Sequence, residues 1–320
     1  MKNDGFLRVA AATPHIRVAD CDFNKEAISA LLHTAAEQHV GAIVFPELCL
    51  TGYTCGDLFH DTTLLQAAEQ ALGELLEESK AYPLLAVVGL PAAFGSSLYN
   101  VAAVFCQGKL LGLTAKSHIP NYSEFYEARH FAPAPPTPVP VTFCGQETVL
   151  GCELVYTCME TPEFTVGVEI CEDLWVPEPP CAHMAQAGAT LLLNTSASDE
   201  VIGKANYRRG LVRDQSARLF CAYAYADAGE GESTTDLVFA GHNLIAENGG
   251  ILAESQPFTT GLTCAEIDLQ RLMQERRRAN TWNNRFDGPA PIPFSLELPD
   301  FPITRSFARL PFVPQDAQDL

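Results

Sequence analysis

Apolar positions along the chain fall into two alternating periods. Residues 7–12, apolar but for Arg8, read as a strand. Ala27, Ile28, Leu31, Leu32, Ala35 and Ala36 then recur at helical spacing, behind Asp20 or Asp22 as the N-cap. Gly41 opens the all-apolar run 42–45, as in a strand covered on both faces. A second helix is expected over 63–80, with Leu64, Leu65, Ala68, Leu72, Leu75 and Leu76 inward, followed by a buried strand over 84–90.

Hairpins follow. Runs 99–106 and 109–114 meet at Gln107-Gly108, and runs 139–143 and 147–150 meet around Gly145-Gln146. Between the two pairs, 132–138 carries four prolines and reads as an extended surface loop. Strands are expected over 165–170, 190–194 and 221–226, with helices over 180–187 and 202–219 between them. Runs 238–246 and 251–254 flank the turn Glu247-Asn248-Gly249-Gly250, and a strand over 262–267 and a helix over 269–278 close the series. Strand–helix–strand units alternating with hairpins predict an α/β fold with mixed sheets and helices on their outer faces. We read 1–283 as one domain. Residues 284–320 read as an arm or a connection, because 287–315 holds seven prolines and little periodicity.

Composition narrows the function. A 47% hydrophobic chain of 320 residues can build a full core. Its net charge of −19 argues against a nucleic-acid grip and suits small-molecule chemistry. No apolar run approaches the roughly 18 residues of a membrane span, and the first residues lack a signal-peptide core. No membrane partner and a cytoplasmic location are therefore expected. The eleven cysteines include no C-x-x-C pair and read as buried free thiols, with no metal site expected. Phosphate-binding, dinucleotide-binding, serine-hydrolase and zinc-protease motifs are all missing.

Three strand ends carry pointed chemistry: 42–45 leads to Glu47, 109–114 to Lys116, and 165–170 to Cys171. A carboxylate can take the thiol proton, the thiolate can attack a carbonyl carbon, and an ammonium can stabilise the oxyanion. Singly, each has a plain alternative: a capping glutamate, a snorkelling lysine, a core cysteine. Carboxylates beside Cys171 would raise its pKa and Lys116 would lower it, and the sequence leaves the outcome open.

The flanks of these residues are more specific. Phe45-Pro46-Glu47-Leu48 with Thr51-Gly52-Tyr53 resembles the glutamate motif of the nitrilase (carbon–nitrogen hydrolase) superfamily. The segment from Lys116-Ser117-His118-Ile119-Pro120-Asn121-Tyr122 through Phe125, Glu127, Arg129 and Phe131 resembles its lysine motif. Gly167-Val168-Glu169-Ile170-Cys171-Glu172-Asp173-Leu174-Trp175 resembles its cysteine motif, in the family's order. Within the superfamily the likeness is to the N-terminal glutaminase domain of glutamine-dependent NAD synthetases, carried by the Glu-Asp-x-Trp ending, by 231–239, and by Gly203-Lys204 with Tyr207-Arg208-Arg209.

The resemblance implies an αββα sandwich and hydrolysis of the side-chain amide of L-glutamine. It implies Cys171 as nucleophile, Glu47 as general base, Lys116 as oxyanion stabiliser aided by the Glu172 backbone N–H, and Glu127 in support of the lysine. It also implies Tyr53, Tyr122, Glu172, Ser198 and Lys204 around the substrate, a homo-oligomer, and no cofactor for this step. ATP and Mg would belong to a synthetase domain, whose Ser-Gly-Gly-x-x-Ser loop this sequence lacks. Segment 309–314 resembles the connection into that domain, so either the glutaminase part alone or a free-standing relative is expected. Asp199-Glu200 stands where many relatives have proline and an aromatic residue, which departs from the pattern next to Ser198. Two rivals remain: another amidase of the superfamily acting on a small ω-amide or carbamoyl compound, and a non-catalytic scaffold. The basic residues Lys204, Arg208, Arg209, Arg213 and Arg218 read as a helix face paired with acids, or as an interface or carboxylate anchor. Arg271 and 276–278 read as solvated or interface residues.

Overall fold

The computed structural model describes residues 2–285, 288–307 and 313. In chain order the first half holds β1 (Phe6–Thr13), α1 (Cys21–Glu37), β2 (Ala42–Val44), α2 (Thr62–Ser79), β3 (Leu85–Phe94), β4 (Ser97–Cys106), β5 (Lys109–Ala115), β6 (Val139–Phe143), β7 (Gln146–Gly151) and β8 (Val155–Cys158). The second holds β9 (Thr165–Ile170), α3 (Pro180–Gln186), β10 (Leu191–Ser196), α4 (Lys204–Arg218), β11 (Ala222–Asp227), β12 (Leu244–Glu247), β13 (Gly250–Glu254), β14 (Gly261–Asp268), α5 (Leu269–Arg278) and β15 (Ile292–Phe294).

These strands build two mixed sheets, in the orders β14-β1-β2-β3-β4-β5-β7-β6 and β13-β12-β11-β10-β9-β8-β15. Strands β1, β2 and β3 run parallel in the first sheet, and β9, β10 and β11 in the second. Alternation along β1 sorts side chains between layers: Val9 and Ala11 enter the core between the sheets, and Ala10 and Ala12 face α1 and α2. Tyr223 and Leu192 face α3 and α4 on the far side. The architecture is the expected αββα sandwich. Each fully buried aliphatic side chain in these layers contributes about 1.5–3 kcal/mol. Asp20 caps α1, accepting from the Phe23 N–H at 3.2 Å.

Turn chemistry sets the hairpins. Gln107 and Gly108 both have positive φ (46° and 84°), the tight turn that matches strand twist. The next hairpin turns at Cys144-Gly145 (φ 50° and 70°), one residue earlier than expected. The run 238–246 yields only Leu244–Glu247, since its first part forms a loop joined to Asp199 by a single bridge at Phe239. Four-residue β8 is too short to show a period and was not expected. All eleven cysteines are free.

The proline-rich segment begins differently from an outlying arm. β15 pairs in parallel with β8, Leu296, Leu298 and Phe301 are buried, and Glu266 accepts from the backbone N–H groups of Thr304 and Arg305. Residues 292–305 thus pack on the chain's own sandwich. Of 309–314, only Val313 lies within the described residues. Arg276 departs from the solvated reading: it is buried and donates to the carbonyls of Ala189, Leu219 and Phe220. Among the described residues no helix is long and apolar enough to cross a membrane.

One close approach links fold to site. A Cβ on Gly89 in β3 would lie 2.4 Å from Leu48 N and 2.5 Å from Pro46 O, against the backbone that carries Glu47. Gly89→Ala is expected to destabilise the protein by about 1–3 kcal/mol through overpacking. Urea unfolding checks this, with a lower midpoint at an unchanged slope.

Candidate active site

Three loops at strand ends converge between the sheets. β2 runs through Phe45 and Pro46 to Glu47, whose N–H donates to Ser196 O at the end of β10 (3.3 Å). Lys116 directly follows β5, its N–H donating to Asn100 O (3.0 Å). Cys171 directly follows β9, at φ 45°, and opens a 3-10 turn over Cys171–Leu174. That left-handed conformation costs roughly 1–2 kcal/mol for an L residue, so its surroundings must impose it. The Asp173 carboxylate accepts from the Ile170 N–H (3.3 Å), and Asn194 Oδ1 accepts from the Cys171 N–H (3.3 Å).

The sequence-predicted Glu47, Lys116 and Glu127 meet in one buried cluster. Lys116 Nζ donates to Glu47 Oε1 at 2.6 Å and to both Glu127 oxygens at 2.7 and 2.8 Å. Burial opposes the Lys116 charge, but Glu127 and Glu47 together hold its pKa well above the ordinary value. Burial pushes Glu127 up to about 7 despite Lys116, and the nearby Glu47 adds to the rise. Two further donors meet Glu47: Asn100 Nδ2 on Oε1 (2.6 Å) and the Ala197 N–H on Oε2 (3.0 Å).

Cys171 lies within electrostatic reach of Glu47, Lys116 and Glu127. The question left open by the sequence has an answer here. Burial and then Glu47 raise the thiol pKa well above its usual value, and Lys116 and a Ser196 hydrogen bond only partly offset them. The resting thiol is therefore protonated and needs a base to become a nucleophile.

The expected substrate contacts divide. Tyr53 donates its hydroxyl to Glu127 at 2.8 Å, and exposed Tyr122 donates to Glu172 Oε1 at 2.8 Å. Ser198 is buried and its hydroxyl accepts from Arg208 Nη2 (3.1 Å). Lys204 pairs with Asp199 and lies over the rings of Trp175 and Phe125, 5.4 and 5.6 Å from their centroids. Ser198 and Lys204 thus already have protein partners. The basic helix face is matched by acids: Arg209 with Glu254, Arg213 with Asp214, and fully buried Arg208 with Glu200.

Sequence reasoning missed several residues that build the site. Asn100 looks like any polar residue within a strand, yet it bonds Glu47. Asp173 accepts from the Ser117 and His118 N–H groups as well as Ile170, tying the lysine loop to the cysteine turn. Glu232 accepts from the Tyr53 and Thr54 N–H groups and so anchors the loop after β11 beside Tyr53. Tyr53 and Glu127 also line a cavity of about 230 Å³, with Phe59, Tyr126, Phe131 and Asp236 in its wall. Among the described residues no group of three or more His, Cys, Asp or Glu side chains is placed to hold a metal ion.

The chain as a whole is similar to known proteins. The carbon–nitrogen hydrolase family model matches residues 8–277. A glutamine-dependent NAD(+) synthetase of Mycobacterium tuberculosis is 40% identical over 327 residues, covering 99% of this chain and 48% of that protein. The chain spans about half the length of the curated relatives it matches. In structure it is similar to a glutamine-dependent NAD(+) synthetase from Cytophaga hutchinsonii (TM-score 0.74, 26% identity, 87% of this chain and 46% of that one). It shares its fold with an amidase from Nesterenkonia sp. (TM-score 0.64, 20% identity, 85% of this chain and 94% of that one). A family model over most of the chain, joined to a relative this similar, shows that the chain belongs to the carbon–nitrogen hydrolase family, the nitrilase superfamily its three motifs resemble.

Proposed function

We propose that this chain hydrolyses the side-chain amide of L-glutamine to glutamate and ammonia through a cysteine thioester. The observation that carries the reading is the buried convergence of Glu47, Lys116 and Cys171 in a chain whose similar relatives are glutamine-dependent NAD(+) synthetases. Glu47 accepts the thiol proton as Cys171 Sγ attacks the carboxamide carbon. Lys116 and the Glu172 N–H stabilise the oxyanion. The tetrahedral adduct collapses, the amide nitrogen takes the proton from Glu47, and ammonia leaves. Water then gives a proton to Glu47 and adds to the thioester, which releases glutamate and restores the thiol.

Tyr122 and Glu172 suit the α-ammonium end of glutamine, since they present oxygen atoms at the turn bearing Cys171. Ser198 and Lys204 would reach substrate only by sharing their present partners, Arg208 and Asp199. The ammonia would serve NAD synthesis from nicotinic acid adenine dinucleotide, on a synthetase domain that uses ATP and Mg. That domain, assembly into a homo-oligomer and a cytoplasmic setting belong to the same proposal. No cofactor is assigned to the hydrolytic step.

Ammonia and glutamate release from L-glutamine tests the reading. Cys171→Ala should abolish both, and Glu47→Gln should lower kcat by roughly 10²–10⁴ with KM changed only a few fold. Full turnover by Cys171→Ala would defeat it. A pH profile supplies a second check. Glu127, raised to about 7 chiefly by burial, loses its charge as pH falls through that value, so Lys116 loses one anionic partner. kcat should therefore fall below pH 7, and Glu127→Gln should lower the plateau and remove that limb.

A further inference from the structure

A directed chain of hydrogen bonds runs from the nucleophile's backbone to a buried acid that the mechanism above does not use. The Cys171 N–H donates to Asn194 Oδ1 (3.3 Å), and Asn194 Nδ2 donates to the Tyr223 hydroxyl (3.0 Å). That hydroxyl donates to Glu169 Oε1, and Glu169 Oε2 accepts from the Cys181 N–H at the start of α3 (3.0 Å). Asn194, Tyr223 and Glu169 are all buried, on the adjacent strands β10, β11 and β9. Asn194 lies in register with Glu169, so the two side chains share the sheet face under α3 and α4.

We propose that Glu169, acting through Tyr223 and Asn194, is a positioning residue that locks the strained backbone of Cys171 in its reactive geometry. This rests on the reading of Cys171 as nucleophile. Hydrogen-bond polarity sets the direction of the chain. A carboxylate only accepts. Both oxygens of Glu169 meet donors, so the Tyr223 proton must point toward Glu169. The Tyr223 oxygen is then open only as an acceptor toward Asn194, which forces the Asn194 amide to turn its NH₂ there. Its carbonyl oxygen is left facing the Cys171 N–H. If the amide flipped, two N–H donors would face each other and the left-handed turn at φ 45° would lose its hold.

Glutamine at 169 would fill the same space without a buried acid, but it would not impose this direction. Its carbonyl can serve Cys181 while its NH₂ donates to the Tyr223 oxygen. The tyrosine proton then turns to Asn194 and favours the flipped amide. Burial raises the Glu169 pKa to about 7, so the acceptor-only carboxylate, and the direction it imposes, is present above that pH.

The test pairs two measurements at about pH 8.5, above the Glu169 pKa of about 7 so that its carboxylate is ionised, and at a temperature well below each variant's thermal midpoint. One is the rate of Cys171 alkylation by iodoacetamide, read by peptide mass spectrometry. The other is kcat and KM for glutamine. Glu169→Gln and Tyr223→Phe should slow both alkylation and kcat by roughly tenfold, the scale of one lost hydrogen bond, with KM within about threefold.

The double variant Asn194→Asp with Glu169→Gln should regain most of that loss. Its new carboxylate accepts from both Cys171 N–H and Tyr223, the hydroxyl accepts from the new amide, and the number of acids is unchanged. Unaltered alkylation and kcat in Glu169→Gln would overturn the inference, as would losses that follow only the folded fraction. A double variant no better than the single one would overturn the directional argument. If Cys171→Ala still turned over glutamine, the nucleophile assignment would fall separately, and alkylation would still report on the hold of Asn194 on Cys171.

Discussion

The fully buried ammonium of Lys116 is the constraint on which the site is built. Taking an isolated charge of this size out of water costs several kcal/mol, even after relaxation. Glu47 and Glu127 offset that cost at hydrogen-bond distance, and neither is on the strand that leads to Lys116. Loops from β2 and β5, together with the turn holding Glu127, must therefore arrive together. Removing one carboxylate would leave a buried charge under-compensated, which is strongly destabilising, so all three groups are held to one geometry.

The rest of the interior serves that convergence. Gly89 lets the Glu47 backbone lie close against β3. Asp173 joins the lysine loop to the cysteine turn, and Glu232 pins the Tyr53 segment. Burial then fixes the protonation logic. It keeps the Cys171 thiol neutral at rest, so the proposed chemistry at this sulfur requires a proton acceptor beside it.

Much of this was legible in the sequence for local reasons. Ala27 through Ala36 follow one helical stripe, and Gln107-Gly108 and Asn248-Gly249 adopt the positive φ pairs that tight hairpins need. Glu47, Lys116 and Cys171 stand out because charged or reactive groups follow apolar strands. Other parts depend on register, which the sequence alone does not expose. Tyr223 sits in an apolar run and reads as core, yet its hydroxyl matters because Glu169 and Asn194 come alongside it. Asn100 gains its role only when β4 lies next to the Glu47 loop. β15 is three residues with Pro293 at its centre and Pro291 just before it, and its pairing with β8 comes from tertiary packing rather than local pattern. Ser198 and Lys204 resembled substrate contacts, but Arg208 and Asp199 engage them first.

The proposed reaction makes a covalent bond at one sulfur. Acid-quenching the protein during turnover of L-glutamine, followed by peptide mass spectrometry, observes that bond directly. A glutamyl adduct confined to the peptide bearing Cys171 is expected, discharged by hydroxylamine as a thioester should be. Glutamine turnover at full rate with no adduct on that peptide, or with an adduct on another residue, would contradict it.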